Sequence, residues 1–107
     1  MQQLSPDGLK RWLADGERAA PYLLDVREPW EYARCHIDGA RPMPMNTVPS
    51  RLAELPQEQD IVVVCHHGMR SQQVALFLER AGFTRVHNLQ GGVHAWALEV
   101  DPGMPRY

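Results

Sequence analysis

The feature that most constrains this chain is Ile61-Val62-Val63-Val64, a run of β-branched residues with no polar alternation. β-Branched residues favour strands, and a strand without polar side chains is typical of a sheet that is covered on both faces. Such sheets are mainly parallel, because the helices that connect parallel strands pack on both sides of them. The run therefore predicts a central strand of an α/β fold.

Strand and helix patterns alternate along the rest of the chain. A short apolar run predicts a further buried strand near 22–24, and a last small strand is predicted near 85–87. Helix starts are predicted at Ser5-Pro6 and Glu28-Pro29, where capping residues and prolines fit the first turn, and further helices over 71–81 and around 93–96. A short helix is also predicted over 48–55, where Val48, Leu52 and Leu55 recur at helical intervals. The alternation predicts layers of helices around a parallel sheet.

The helical spacing also predicts which side chains face the core. The first helix is expected to bury Leu9, Trp12 and Leu13. The second is expected to turn Trp30 and Ala33 inward, with Tyr32 as a further candidate. Trp30 and Trp96 are better explained as core aromatics than as groups that stack on a substrate.

Length, charge and cysteine content limit the class of protein. With 107 residues, the chain is long enough for one core and too short for two. Its net charge of −2 gives no basic surplus for nucleic acid or an anionic membrane, and it contains only 2 cysteines, few for a small secreted domain. The first residues lack the pattern of an export signal and no apolar run approaches a membrane span. We therefore expect reduced thiols and a cytoplasmic protein with no membrane association.

The loop that follows the strongest strand carries the candidate chemistry. Cys65 is the first residue after that strand, and His66, His67, Gly68, Met69 and Arg70 lead into the next helix. Ligands bind beyond the carboxyl ends of the strands in open α/β sheets. If the loop curls so that its N–H groups point inward, they and the helix N-terminus favour a thiolate at Cys65 over a thiol. The alternative is an inert cysteine buried at a strand end.

The other loop residues leave functional and structural interpretations open. Gly68 fits a loop that needs positive φ or close backbone approach. Arg70 opposes the dipole of the helix it begins, so it either forms an ion pair with a carboxylate such as Asp25 or Glu28, or faces a ligand. His66 and His67 could attract an anionic substrate, although most loop histidines are simply solvated.

Several reactive residue types elsewhere are expected to be structural. Asp25 and Arg27 are interpreted as an internal ion pair or turn cap, and His36 as a hydrogen-bonding residue. Cys35 is expected to be an inert thiol; a resolving thiol or metal ligand would require proximity to Cys65. A zinc site would have to be built from Cys35, Cys65, His66, His67 and His36. Their spacing lacks the paired two-residue gaps of known sites, so we expect no metal.

Together these motifs resemble the single-domain rhodanese-like sulfurtransferases. Four stretches carry the resemblance, in the family's order: Leu24 to Tyr32, His36 to Ala40, Cys65 to Ser71 and Leu89 to Trp96. The resemblance implies one domain over 1–107, with a core of about 4–98 and a tail of 99–107. It also implies a mainly parallel sheet of about five strands with helices on both faces.

The resemblance implies covalent sulfur transfer without a cofactor. Cys65 would attack the outer sulfur of a donor such as thiosulfate and form a persulfide held by the N–H groups of residues 66 to 70. Cyanide or a thiol would then remove the sulfur, so kinetics should be ping-pong. Implied partners are small sulfur donors and acceptors, and a protein thiol or persulfide.

Loop length bears on two other functions that this fold supports. Four residues separate Cys65 from Arg70, whereas the related dual-specificity phosphatases have one residue more, which disfavours a phosphatase or arsenate reductase. A non-catalytic binding module is the remaining alternative. The retention of Cys65, Gly68 and Arg70 weighs against it.

Overall fold

The computed structural model describes residues 1–107 and contains one five-stranded sheet. All strand pairs are parallel, in the order β1-β5-β4-β2-β3. The strands are β1 (Gln2–Leu4), β2 (Tyr22–Asp25), β3 (Arg41–Pro42), β4 (Ile61–Val64) and β5 (Val86–Leu89). The α-helices are α1 (Pro6–Ala14), α2 (Pro29–Arg34), α3 (Met69–Arg80) and α4 (Gly92–Glu99). The predicted α/β architecture is confirmed.

Strand β4 lies at the centre of the sheet and is buried along its whole length. Because side chains alternate across a strand, Val62 and Val64 face one side and Ile61 and Val63 the other. The first side packs against α1 and α4, for example at Trp12 and Trp96. The second side packs against α3 and the segment 45–55. Helices thus cover both faces, as the uninterrupted apolar run predicts.

Neither edge strand of the sheet is predicted by the sequence patterns. Strand β1 has three residues and pairs only with β5, and β3 has two and pairs only with β2. Two of the three β1 side chains are exposed and both β3 residues are exposed, so neither strand carries an apolar signal. Pro42 is tolerated because it lies on an edge.

The segment predicted as one short helix forms two 3₁₀ helices, Met45–Ser50 and Leu52–Glu54. Pro49 lies inside the first and has no N–H group to donate, so a regular α-helix is disfavoured there. Val48 and Leu55 are nevertheless buried, as their spacing predicts.

The inward faces of two helices differ from expectation. Leu13 is 41% exposed and Trp30 is 63% exposed, whereas Trp96 is buried as predicted. Helix α2 instead turns the carboxylate of Glu31 inward and leaves Ala33 exposed. The prediction for Trp30 was wrong, because Glu31 takes the inward side of α2, where it forms an ion pair with Arg70.

None of the helices has the length and apolar character needed to cross a bilayer.

Candidate active site

Cys65 lies directly beyond the carboxyl end of β4, and only 1% of it is exposed. The backbone N–H of Gly68 donates to its Sγ over 3.0 Å. The hydroxyl of Ser71 lies 3.3 Å from the same sulfur and donates to Asn88 Oδ1 on β5. The sulfur is therefore enclosed by the loop that follows it.

Gly68 shapes the turn of this loop. Its φ of +99° lies in the left-handed region, and a Cβ there would lie 3.1 Å from the Gly91 nitrogen. Helix α3 begins at the next residue, Met69, two positions before the predicted start. The first N–H groups of an α-helix have no partner within it, so this end of α3 offers donors and partial positive charge on the loop side.

Helix α4 holds the loop from the opposite side. The N–H of Val93 donates to Cys65 O over 2.9 Å, and that of His94 donates to His66 O over 3.0 Å. In a trans peptide the N–H points opposite to the C=O, so the N–H groups of His66 and His67 point away from α4. Neither of these two N–H groups has a partner within the chain. The loop thus presents free amide donors.

Arg70 is bound by a carboxylate of α2. Its guanidinium donates to both oxygens of Glu31, over 2.6 and 2.9 Å, and Glu31 is 4% exposed. Glu31 also accepts from the N–H of Glu28 over 3.0 Å. The hydrogen bond from Arg70 lowers the pKa of Glu31 to about 2, against the opposing effect of burial. The pair joins α2 to the first turn of α3, and Glu31 is the partner in place of Asp25 or Glu28.

Asp25 and Arg27 form a second, fully buried ion pair. Arg27 Nη2 lies 2.7 Å from Asp25 Oδ2 and also donates to Cys35 O over 2.7 Å. Burial lowers the pKa of Arg27, but its hydrogen bonds to Asp25 and Tyr107 outweigh this effect and raise the pKa overall. The prediction of an internal ion pair is confirmed.

Tyr107 connects both ion pairs to the loop. Its hydroxyl accepts from Arg27 Nη1 over 2.7 Å and donates to Glu31 over 2.8 Å. Its ring stacks on His66 with centroids 4.0 Å apart. Burial, opposed by the hydrogen bond from Arg27, raises the pKa of Tyr107 to about 12, so the hydroxyl is protonated at neutral pH. The sequence places this residue in a tail and gives no signal for its contact with the loop.

The loop histidines lie beside a third histidine, His94 of α4, which the sequence did not single out as a site residue. His66 stacks on His67 at 4.0 Å, and His67 lies 4.9 Å from His94 of α4, measured between ring centroids. Burial and the neighbouring His67 lower the pKa of His66, so its imidazole is mostly neutral at pH 7. One nitrogen from each of these three rings lies within 4.8 Å of the others. The structure does not bring Cys35 or His36 into this cluster.

The remaining candidates lie apart from the sulfur or at the surface. Met69 is exposed. Cys35 is unpaired and its thiol contacts Pro105 O at 3.4 Å. His36 binds Tyr32 O through Nδ1 at 2.9 Å, in agreement with a structural role.

With this geometry in view, the comparisons with known proteins are consistent with one family. Residues 5–99 match the rhodanese-like domain, and the chain belongs to that family. It is 40% identical over 106 residues to the probable adenylyltransferase/sulfurtransferase MoeZ of Mycobacterium tuberculosis, covering 97% of this chain and 26% of MoeZ. The chain therefore spans about a quarter of that relative.

Two other relatives match over most of their length. A sulfurtransferase of Allochromatium vinosum is 38% identical over 97 residues, covering 91% of this chain and 89% of the relative. The crystal structure of a rhodanese-like domain protein from Staphylococcus aureus superposes with a TM-score of 0.84 at 33% identity, covering 100% of this chain and 99% of that one.

The Glu31–Arg70 ion pair predicts how the stability of the fold changes with pH. Because the pKa of folded Glu31 is about 2 and its ordinary value is 4.5, Glu31 stabilises the fold above about pH 4.5 and loses this effect as pH falls towards 2. Urea unfolding of Glu31→Gln should show a loss of about 1–3 kcal/mol at pH 7, and a smaller loss at pH 3.

The matched control is Glu54→Gln, which breaks an ion pair with Arg51 in which Glu54 is 55% exposed. Exposed pairs contribute little, so this variant should resemble the wild type. Equal losses in the two variants, or a loss at Glu31 that does not change with pH, would contradict the role assigned to Glu31.

Proposed function

We propose that this chain is a sulfurtransferase that moves a sulfane sulfur from thiosulfate, or a similar small anionic donor, to a thiophilic acceptor through a persulfide on Cys65. The observation that carries the proposal is the environment of the Cys65 sulfur. This sulfur accepts a hydrogen bond from the N–H of Gly68 over 3.0 Å. It lies inside a loop in which the N–H groups of His66 and His67 have no partner. Family membership supports the same activity.

In the first half-reaction, the Cys65 thiolate attacks the outer sulfur of thiosulfate. A new S–S bond forms, the S–S bond of thiosulfate breaks, and sulfite leaves with the bonding electron pair. The terminal sulfur of the persulfide carries negative charge, which the loop N–H groups stabilise. In the second half-reaction, cyanide or the thiolate of a small molecule or protein attacks this terminal sulfur, and the Cys65 thiolate leaves.

The ion pairs support this reaction by positioning the loop. Arg70 is held by two hydrogen bonds to Glu31, and its side chain is 35% exposed. It fixes the start of α3, and its remaining N–H groups add positive charge near an incoming anion. The transfer step needs no general acid, since sulfite leaves as an anion.

The alternative functions have less support. The four residues between Cys65 and Arg70 make a smaller ring of amides than the longer phosphatase loop, which disfavours a tetrahedral phosphate or arsenate. A module that only binds a partner has no need for a buried cysteine that accepts a backbone N–H.

Initial-rate kinetics test the proposal. With thiosulfate and cyanide varied together, we expect thiocyanate formation and parallel double-reciprocal lines, because the donor product leaves before the acceptor reacts. Mercaptopyruvate and glutathione persulfide serve as comparison donors. Intersecting lines would contradict the persulfide mechanism. Phosphatase turnover, without sulfur transfer from any donor, would show that the chain is a phosphatase and not a sulfurtransferase.

A further inference from the structure

The five histidines of the chain fall into two groups by their hydrogen bonds. His36 binds a backbone carbonyl, and His87 lies 3.1 Å from Asp60 Oδ1. The rings of His66, His67 and His94, which we call the histidine trio, form no hydrogen bond within the chain. In particular, Nδ1 of His94 is buried and has no partner. A buried polar nitrogen without a hydrogen-bond partner lowers the stability of the folded chain.

The trio is assembled by two elements that are fixed to each other. His66 and His67 belong to the loop after β4, and His94 lies in the first turn of α4. The backbone N–H of His94 donates to His66 O over 3.0 Å, which fixes the approach of the two segments. One nitrogen from each ring lies within 4.8 Å of the others. The convergence therefore rests on backbone contacts and not only on side-chain torsions.

The composition of the trio selects a class of ligand. Imidazole nitrogens suit zinc and neighbouring transition metals, whereas calcium and magnesium require oxygen ligands, of which the trio has none. Three histidines with an open fourth position are an established zinc ligand set. The nearby arginines do not oppose a cation strongly, because Arg27 is paired with Asp25 and Arg70 with Glu31.

The distances are compatible with a metal ion after a small adjustment. In a tetrahedral site with Zn–N distances of about 2.0–2.1 Å, ligand nitrogens lie about 3.3 Å apart. The separation of up to 4.8 Å in the trio would have to shorten by movement of the rings, and the exposed His67 has room to rotate. Stacking of Tyr107 on His66, with centroids 4.0 Å apart, holds a second ring in place.

We propose that His66, His67 and His94 form a binding site for one divalent transition-metal ion, with zinc as the reference ion. The Cys65 sulfur is not among the ligands. A bound ion would join the sulfur-binding loop to α4. Because it binds the folded chain and not the unfolded one, it should raise the melting temperature. The metal site is argued from the three rings alone and does not rest on the proposed sulfur transfer.

Calorimetry with Zn²⁺ on the full chain, free of added chelator, tests the proposal. We expect one ion per chain in the wild type, and at least about tenfold weaker binding in His94→Phe, which keeps a planar aromatic ring and removes the nitrogens. His67→Ala should show the same loss. Since His67 is exposed, this variant serves if His94→Phe does not fold. His36→Gln and Cys65→Ser are the controls and should bind as the wild type does.

Co²⁺ replaces Zn²⁺ in a second measurement that identifies the ligands by absorption. We expect the visible bands of a tetrahedral nitrogen site without a thiolate charge-transfer band. Unchanged binding in both trio variants, loss of binding in Cys65→Ser, a thiolate band, or no bound Zn²⁺ in the wild type would each overturn the proposal. None of these outcomes depends on whether the chain transfers sulfur.

Discussion

Replacing Cys65 with serine is expected to lower kcat/KM for transfer from thiosulfate to cyanide by at least about a thousandfold, because a hydroxyl at this position is neither ionised nor a good sulfur nucleophile. The substitution is close in shape and keeps an acceptor for the N–H of Gly68, which lies 3.0 Å from the sulfur. The free energy of unfolding should therefore change little. Steady-state thiocyanate formation and urea unfolding measure the two quantities.

Cys35→Ser is the matched control, because it makes the same substitution at the chain's other cysteine. The Cys35 thiol contacts a backbone carbonyl of the tail and lies outside the loop. Activity close to that of the wild type is expected for this variant. Substantial transfer by Cys65→Ser, or a comparable loss in Cys35→Ser, would assign the chemistry to another group.

Gly92→Ala is expected to have the largest effect on stability among single methyl additions to the site. Gly92 has a φ of +61°, and a Cβ there would lie closer than 3.0 Å to the carbonyl oxygens of Cys65 and His66. Those are the oxygens that accept from the N–H groups of Val93 and His94. Backbone strain and overpacking together should cost at least about 3 kcal/mol. Displacement of the loop should also lower sulfur transfer in the folded fraction.

Two other glycines separate the causes of this loss. Gly82 has a φ of +105° but no atom within 4 Å of an added Cβ, so Gly82→Ala measures the backbone strain alone, about 1–2 kcal/mol. Gly16 has neither feature, so Gly16→Ala should be close to neutral. If Gly92→Ala were no less stable than Gly82→Ala, the close packing of α4 on the loop would not be required.

The parts of the fold that were predictable from sequence are those with a local cause. The apolar run 61–64 depends only on its own residues, and so does the transition from strand to loop to helix at Cys65. A ligand site beyond the carboxyl end of this central strand, at Cys65, follows from general properties of parallel sheets. The edge strands were not predictable in this way, because they are short and exposed and carry no periodic signal. Over 48–55 the spacing predicted a helix and its buried residues, but not that the segment would form two 3₁₀ helices.

The parts of the site that were not predictable depend on partners far along the chain. Arg70 pairs with Glu31, 39 positions earlier, and this contact turns Glu31 rather than Trp30 towards the interior. His94 and Tyr107 reach the loop only because α4 and the tail pack beside it. Asn88 accepts from Ser71 because β5 neighbours β4. No local pattern distinguishes these residues from ordinary surface positions.

Mass spectrometry of the protein after incubation with thiosulfate, followed by peptide mapping, is the most direct test of the persulfide. The account predicts one added sulfur atom on the peptide that contains Cys65, present in Cys35→Ser, absent in Cys65→Ser and removed by cyanide. An added sulfur on Cys35, or no adduct on Cys65 with any of the sulfur donors, would contradict it.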